Sequence, residues 1–403
     1  MRPTLALVAV LLVSCDPSGG APPDEPNVEP PASVETVTLR ARHPDGVPLH
    51  AEEHGSGMTG RLPDGATVEV VRWGAGRRWL EVRSADGAGW ITARYVGSQG
   101  SSPSPSAAPT RSGHLPDAWR SRESCARTPV PAGTGIATWN LRWFPDGGPN
   151  GPGDRATDVT WMACTIASLG VAVVAVQEVM LDGGHAAAFD RMRTALDERT
   201  GGRWEASFDS CRRDGRQHVG LLWDSRRARV SGTRTRAEVN PLGGACAGQL
   251  RPGFAASVQI GNSAPLDVTV VHLDSGVEAR DLEHRRQSLA ELVSGAGPRS
   301  LVLGDFNAMG CTGCGVSGDA ERAEVDRAAA GAGLVRVRAD VDCTEFYRGR
   351  GQTLDLALAG RGLDMSASVA GPCRTHTCSL PRGVQPPAHR TLSDHCPVVL
   401  QLR

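Results

Sequence analysis

The chain has 403 residues, of which 40% are hydrophobic and 22% charged, a composition typical of globular proteins. Its 43 basic residues nearly balance 44 acidic ones, so net charge gives no reason to expect a polyanionic partner. All the basic residues are arginine, since lysine does not occur. Any phosphate contact must therefore come from arginine, histidine or a backbone amide.

The chain begins with a basic residue and an apolar run over 5–13. This run is too short to span a bilayer but suits the core of a signal peptide. It ends in Leu12-Val13-Ser14-Cys15, which resembles the bacterial lipobox. We therefore predict a signal peptide over 1–15, lipidation of Cys15, and an extracytoplasmic protein anchored to a bacterial membrane. The alternative is an ordinary signal peptide cleaved nearby.

The next segments alternate between polar and compact sequence. Residues 16–34 and 98–131 are rich in Pro, Gly, Ser and acidic residues and are predicted to be a disordered tether and a linker. Residues 35–97 between them predict a small all-β barrel. This segment resembles the bacterial Src-homology-3-like domain in its Trp79–Val82 strand, Asp86-Gly87 turn, Gly89-Trp90 pair and Tyr95-Val96 end. The resemblance implies either contact with cell-wall peptides or a spacer role.

Residues 132–403 are predicted to form one α/β domain. Apolar runs such as 171–176 and 301–303 are typical of strands buried on both faces. Helical patterns lie between them, one of which begins after Asp158 and ends at Gly170. Together with the apolar stretch 397–400, this alternation predicts two packed sheets with helices outside.

Ten of the eleven cysteines lie between Cys125 and Cys396. An even number behind an export signal predicts up to five disulfides. The alternative is a zinc site in which Cys311 and Cys314 join Cys373 and Cys378. The main predicted pairing joins Cys343 to Cys311 or Cys314, and two weaker ones are Cys373–Cys378 and Cys211–Cys246.

Polar residues stand at the ends of six apolar strands, where α/β enzymes collect their sites. A purely structural domain has no need for this set, which consists of Asn140, Glu178, His272, Asp305, Asn307, Asp355, Asp394 and His395.

From about Ile136 to its end the chain resembles the endonuclease/exonuclease/phosphatase superfamily. The most specific motifs are GDFNA at 304–308 and SDHCPV at 393–398. The resemblance implies a four-layer sandwich of two β-sheets flanked by helices and a metal-dependent phosphodiesterase activity. Asn140, Glu178 and Asp394 are the predicted ligands of Mg²⁺, with Mn²⁺ or Ca²⁺ as alternatives, because these hard cations prefer oxygen donors.

The same resemblance assigns roles to the other positions. His395 is expected to be the base, oriented by Asp355, and His272 the acid near the leaving group. Asp305 and Asn307 lie two apart on an extended segment and are expected to address the water and the phosphoryl oxygens. Arg251 is expected to bind phosphate. The alternatives are a strand-end ion pair for Glu178, a core histidine for His272 and a surface arginine for Arg251.

The predicted substrate is DNA, cleaved internally. Arg212 and Arg213 lie in a loop that is expected to contact the nucleic-acid backbone, although a solvated turn is the alternative. A sphingomyelinase or phospholipase C is the second interpretation, and a non-catalytic cell-wall-binding lipoprotein is the third. With only 4% aromatic residues, we find no segment typical of a membrane-inserting hairpin. Nothing in the sequence predicts an oligomeric state.

Overall fold

The computed structural model describes residues 36–39, 46–53, 57–74, 79–96, 117–148, 156–211, 215–347, 350–376, 378 and 386–402. By its internal contacts the chain divides into two compact units, Met1–Pro109 and Thr110–Arg403. Cys15, Arg212 and Arg213 lie outside the described residues, so lipidation and the arginine loop remain predictions. Among the helices that the structure describes, none combines the length and apolarity needed to cross a bilayer.

The described part of the first unit is built on one β-sheet, as predicted, and ends with a short 3-10 helix, Ala93–Tyr95. Its antiparallel strands form one sheet in the order β1-β4-β5-β6-β2-β3. Alternate side chains of this sheet, among them Leu49, Val68, Leu80 and Val82, are buried in a common core. The strands are β1 Thr36–Thr38, β2 Val47–His50, β3 Met58–Leu62, β4 Thr67–Trp73, β5 Trp79–Ser84 and β6 Gly87–Thr92.

The second unit is the predicted mixed α/β sandwich. Its helices are α1 Arg122–Arg127, α2 Val159–Ser168, α3 His185–Thr200, α4 Ala279–Val293, α5 Gly318–Gly331, α6 Pro372–His376 and α7 Pro387–Thr391. Its strands are β7 Gly135–Phe144, β8 Val171–Met180, β9 Trp204–Phe208, β10 Gln217–Asp224, β11 Ala228–Arg236, β12 Gly253–Ile260, β13 Leu266–His272, β14 Ser300–Asp305, β15 Gly310–Cys311, β16 Val316–Ser317, β17 Leu334–Arg336, β18 Glu345–Tyr347, β19 Arg350–Gln352, β20 Asp355–Gly360, β21 Met365–Val369 and β22 Val398–Leu402.

Two six-stranded sheets make the centre of this unit. The first has the order β21-β22-β7-β8-β10-β9, and the second has the order β11-β12-β13-β14-β20-β17. The alternation of side chains along β8 shows how the layers form. Val173 and Ala175 face the core between the sheets, whereas Val174 and Val176 face the helices outside. Helices α2 and α3 cover the first sheet, and α4 and α5 cover the second.

Local signals in the sequence account for the helix boundaries. The side chain of Asp158 accepts a hydrogen bond from Trp161 N and caps α2, as its position predicts. Gly170, in the left-handed region at φ +65°, follows this helix and leads into β8. Helix α4 begins with a capping box between Glu278 and Asp281.

The predicted linker is too long at its C-terminal end. Residues 117–131, which we assigned to it, lie in the second unit and include helix α1. Trp119 is buried against Trp139, and Cys125 is fully buried. The guanidinium of Arg199 donates to the carbonyls of Cys125, Ala126 and Thr128. Burial of an aromatic ring and these hydrogen bonds outweigh the polar composition from which a linker was predicted.

Five disulfides are present, and only one of the predicted pairings is among them. Cys211–Cys246 is confirmed. The predicted bridge from Cys343 to Cys311 or Cys314 is wrong, because the β15–β16 hairpin brings Cys314 back to Cys311. The predicted Cys373–Cys378 pair is also wrong. The pairs are Cys125–Cys164, Cys211–Cys246, Cys311–Cys314, Cys343–Cys378 and Cys373–Cys396, which leave no thiol of this set for zinc.

The disulfides of the second unit should differ in their effect on stability. Cys373–Cys396 spans 23 residues and Cys311–Cys314 spans 3. In the chain-entropy treatment, removing the first costs about 3.5 kcal/mol and removing the second about 2 kcal/mol. We expect this order when Cys373→Ala/Cys396→Ala and Cys311→Ala/Cys314→Ala are compared by urea unfolding at equal pH. Equal losses of unfolding free energy in the two double variants would contradict the pairing.

Candidate active site

The predicted site residues come from both sheets and meet at one edge of the sandwich. His272 and Asp305 end the parallel strands β13 and β14, at paired positions. Asp355 begins β20, which runs antiparallel to β14, so its start lies opposite Asp305. Asn140 and Glu178 lie near the ends of the parallel strands β7 and β8. Strand direction therefore explains how residues distant in sequence become neighbours.

Asn140 links carboxylates from the two sheets. Its Nδ2 donates to Glu178 Oε1 and to Asp305 Oδ2, each at 3.0 Å. Its Oδ1 accepts from the backbone N–H of Arg142 at 2.9 Å. Asn140 and Asp305 are almost completely buried. The result is a pair of acidic groups held together in a dry environment.

The backbone at this point adopts an uncommon conformation. Arg142, Trp143 and Glu178 have φ angles of +50°, +47° and +59°, in the left-handed region that disfavours bulky side chains. Trp143 N donates to Glu178 Oε2 at 3.0 Å, so this carboxylate is fixed at both oxygens. Such conformations persist only where the surrounding contacts enforce them, and they cluster at functional sites.

His272 lies against the two carboxylates. Its Nε2 is 3.6 Å from Glu178 Oε1 and 3.5 Å from Asp305 Oδ2. Burial, together with the charges of Arg251 and His395, holds the pKa of His272 well below its usual value. The imidazole is therefore neutral at neutral pH. Its Nδ1 is buried and has no hydrogen-bond partner among the described residues.

His395 and Asp355 form the second part of the site. Nδ1 of His395 is 2.8 Å from Asp355 Oδ2, while its Nε2 lies 3.8 Å from Asp305 Oδ2. Burial lowers the pKa of the imidazole, but the carboxylates of Asp355 and Asp305 outweigh burial and raise it well above the usual value. Without a cation the imidazole is therefore protonated at neutral pH, with its Nδ1 toward Asp355 and its Nε2 toward Asp305.

The main chain around His395 is also held firmly. Trp139 Nε1 donates to His395 O at 2.9 Å, and the Ser393 hydroxyl donates to Asn140 O at 2.6 Å. The N–H of His395 in turn donates to Ser393 Oγ. These bonds connect the segment before β22 to β7, so the histidine and Asn140 share one support.

Asp305 occupies the centre of this arrangement. Burial and the neighbouring Asp355 raise its pKa to about 6, against the effects of His395 and of the hydrogen bond from Asn140. Asn307 N donates to Asp305 Oδ1 at 2.9 Å, and Asn307 Nδ2 donates to Leu273 O. Asn307 therefore supports Asp305 through its backbone, while its amide is engaged by the chain.

Arg251 is buried beside the site, not at the surface. Its Nη2 donates to Leu273 O at 2.9 Å, and its charge acts on both Glu178 and His272. Its Nε is buried without a hydrogen-bond partner among the described residues. A guanidinium with an unused donor next to this edge fits the expected phosphate contact.

Seven of the predicted residues form one connected set of contacts, whereas Asp394 lies at its border. The connected residues are Asn140, Glu178, His272, Asp305, Asn307, Asp355 and His395. Asp394 Oδ2 is 3.6 Å from Arg142 Nε, and its charge raises the pKa of Glu178. Its role as a metal ligand remains a prediction.

Sequence reasoning missed two residues of the site, Arg142 and Glu345. Arg142 is buried and pairs with Asp394, and its Nη2 has no hydrogen-bond partner within the described part of the chain. Its place two residues after Asn140 in one strand was the available signal. Glu345 lies in no motif, and only the pairing of β18 with the segment before β22 brings it to the site.

Glu345 stands opposite His395 in an antiparallel bridge. The flanking bonds run from Phe346 N to Asp394 O and from Cys396 N to Thr344 O, which makes Glu345 and His395 a non-hydrogen-bonded pair. Side chains of such a pair project to the same face at close range. Burial raises the pKa of Glu345 well above its usual value, against the opposing charge of His395.

The donor set fits a divalent cation. Glu178, His272 and Asp305 each offer a ligand atom, and these atoms lie within 4.8 Å of one another. Two buried carboxylates share a single amide donor, and burial raises the pKa of both. A hard cation would relieve this unfavourable burial of like charges. Glu178 and Asp305 are the residues best placed to hold it, whereas Asn140 turns its N–H donors toward them and its Oδ1 toward Arg142 N, so its role as a metal ligand remains a prediction.

Comparison with known proteins shows that the chain resembles solved structures, but it assigns the chain to no family. No family model and no curated protein matches the chain. An endonuclease/exonuclease/phosphatase from Beutenbergia cavernae is similar over 67% of this chain and 71% of its own, with 17% identity and a TM-score of 0.48. A humanised D. rerio TDP2 with 14 mutations covers 67% and 98%, with 16% identity and a TM-score of 0.45.

A mannosyl-6-phosphatase from Bacteroides thetaiotaomicron covers 67% of this chain and 99% of its own, with 15% identity and a TM-score of 0.42. At such identities and TM-scores the similarity carries no argument about function. The geometry of the site has to supply that argument.

Replacing Glu345 by Gln should change how stability depends on pH. Because its pKa is raised on folding, the native chain keeps a proton that the unfolded chain releases, so stability falls as pH rises above the usual glutamate value. Glu345→Gln removes this loss. In urea unfolding with EDTA, its stability relative to wild type should therefore increase from pH 4 to pH 8. A stability difference between variant and wild type that does not change with pH, as we expect for the exposed control Glu291→Gln, would contradict the raised pKa of Glu345.

Proposed function

We propose that this chain is a metal-dependent phosphodiester hydrolase that acts on nucleic acid, as an endonuclease on DNA. The observation that carries the proposal is the alignment of His395 between two carboxylates. Asp355 holds its Nδ1, and its Nε2 faces Asp305 next to the Glu178–Asn140 pair. A proton acceptor beside a cation site is the combination that phosphodiester hydrolysis requires, and this geometry supports the proposal.

The residues of the chain divide the work of the reaction. A bound Mg²⁺, or Mn²⁺ or Ca²⁺, supplies Lewis-acid polarisation of a phosphoryl oxygen. A cation held at Glu178 and Asp305 would oppose protonation of the nearby ring, so that Nε2 of His395 is free to accept a proton from the attacking water, while Asp355 keeps Nδ1 protonated and stabilises the imidazolium that results. Asp305 orients the same water through the oxygen that faces Nε2 of His395.

The other polar groups bind the charged substrate. Arg251 and Arg142 are buried guanidiniums with an unused donor each, suited to non-bridging phosphoryl oxygens. His272 was expected to be the acid near the leaving group. Its depressed pKa favours a neutral ring that donates a hydrogen bond there, because a protonated ring is costly in this position.

The choice of nucleic acid over phospholipid has one support in the described part of the second unit. Among the aromatic residues of this unit whose side-chain exposure the structure describes, only Trp143 is exposed, so these residues form no exposed aromatic cluster suited to membrane insertion. Contact of Arg212 and Arg213 with the DNA backbone belongs to the same proposal.

Catalysis is tested by substitutions at the two acceptor positions and their support. His395→Ala and Asp305→Ala should each lower kcat by about 10²–10⁴-fold, and Asp355→Asn by about 10–100-fold. Since Asp355 raises the pKa of His395, Asp355→Asn should also move the acidic limb of the kcat/KM profile to lower pH. The assay compares DNA, RNA and sphingomyelin with Mg²⁺, Mn²⁺, Ca²⁺ or EDTA.

His284→Ala is the matched control, since this histidine pairs with Asp274 and lies outside the connected set. Wild-type turnover in all three site variants would refute the active site. Hydrolysis of sphingomyelin but not of DNA would refute the nucleic-acid substrate and favour the phospholipase alternative.

We also propose that the enzyme works outside the cytoplasm on a lipid anchor. Five disulfides are typical of proteins that fold in an oxidising compartment, and the lipobox-like Ser14-Cys15 supports lipidation. Labelling with radioactive palmitate should mark wild type and leave Cys15→Ser unlabelled. Unlabelled wild type recovered wholly in the soluble fraction would contradict the anchor.

A further inference from the structure

Trp143 is exposed at the edge of the candidate active site, and its exposure does not stabilise the fold. It is 36% exposed, whereas the other described tryptophans are buried or half-buried. Its φ of +47° lies in the left-handed region, which favours Gly or Asn over an aromatic residue. A tryptophan here gains neither full burial nor a preferred backbone. Its side chain is therefore available for contact outside the fold.

The backbone of Trp143 is fixed to the site. Its N–H donates to Glu178 Oε2 at 3.0 Å, and its carbonyl accepts from Asp146 N at 2.7 Å and Gly147 N at 3.1 Å. The indole is thereby held within one side-chain length of the carboxylate pair. Whatever phosphodiester binds at Glu178 and Asp305 brings the group attached to it into the neighbourhood of this ring.

The main chain of Gly148 packs against the indole of Trp143. A Cβ placed on Gly148 would lie 3.0 Å from Cδ1 and 3.4 Å from Cγ of Trp143, so the glycine backbone packs directly against the indole. Gly148 has a φ of +81°, which itself favours glycine. An indole that the main chain of Gly148 supports near Cδ1 and Cγ, and that keeps 36% of its surface exposed, can serve as a stacking platform.

We propose that Trp143 forms a nucleobase subsite, on which an unpaired base next to the scissile phosphate stacks. This inference rests on the proposed function and narrows its substrate class from DNA in general to nucleic acid with unpaired bases. A base inside a duplex has both faces covered by its neighbours, so the platform selects single-stranded nucleic acid or frayed ends. Sequence preference should be weak, because every base offers a flat π-face.

Two other occupants fit the platform less well. A choline headgroup is bound by cation–π contact, usually within a cage of several aromatic rings, but Trp143 is the only exposed aromatic residue among those of this unit whose side-chain exposure the structure describes. A lipid surface needs an apolar patch, whereas the residues on either side of Trp143, Arg142 and Phe144, are buried and add no exposed apolar surface. Both become outcomes of the test.

The test compares a short oligo-dT with an abasic oligomer of the same length and the same phosphate backbone. Binding is measured in EDTA by the fluorescence anisotropy of end-labelled oligomers, so that variants without the ring can be compared with wild type. Quenching of tryptophan fluorescence in wild type but not in Trp143→Phe then assigns the contact to this ring among nine tryptophans. Wild type should bind oligo-dT about 5- to 100-fold more tightly than the abasic oligomer, the range that base–aromatic stacking supplies. It should also prefer single-stranded over double-stranded DNA.

In Trp143→Ala this preference for oligo-dT should fall to near one, and Trp143→Phe should retain part of it. Trp143→Asn provides a second variant that lacks the ring and tolerates the left-handed backbone. Val335→Ala, at an exposed position of β17, should keep the wild-type preference. Retention of the preference in both ringless variants would overturn the proposal.

If Trp143→Ala lost binding to sphingomyelin vesicles but bound oligo-dT as wild type does, the nucleobase proposal would also be overturned, in favour of a lipid headgroup. Failure of the proposed function has a different signature. In that case wild type would hydrolyse no phosphodiester with any divalent cation, whatever the binding measured in EDTA.

Discussion

The side-chain amide of Asn140 donates hydrogen bonds to carboxylates from two different β-sheets, Glu178 on the first and Asp305 on the second. Each sheet alone presents an incomplete group of polar side chains at its edge. Only when the apolar faces of the sheets pack against each other do the two acids come within reach of one amide. The chemistry of the site therefore depends on the hydrophobic core between the sheets, whose side chains begin directly behind these residues.

Strand periodicity was sufficient to predict the central architecture. Along β8 and β14 nearly every residue is apolar, because these strands are covered by a sheet on one face and helices on the other. The same runs end in polar residues, and the direction of each strand then decides which ends meet. Asp355 shows the limit of the prediction, since it begins its strand and joins the site only because β20 is antiparallel to β14.

What could not be predicted lies mostly in the segment between β17 and β22. Its short strands carry no clear period, and its contacts depend on which distant elements it meets. Glu345 reaches His395 through a single β-bridge, and Cys343 finds Cys378 instead of a cysteine after β14. Residues 117–131 were misassigned for a related reason, since one buried tryptophan and one disulfide outweigh a polar composition. Such choices are made by tertiary contacts that leave no local pattern in the sequence.

The Cys373–Cys396 bridge gives the residue next to His395 a covalent partner. Cys343–Cys378 ties the start of β18 to the same region, and β18 pairs with the His395 segment. Reduction of both bridges would leave this segment to the hydrogen bonds that join it to Trp139 and Asn140 and to its pairing with β18. The order of the main chain around His395 is thus coupled to the redox state of the compartment in which the chain folds.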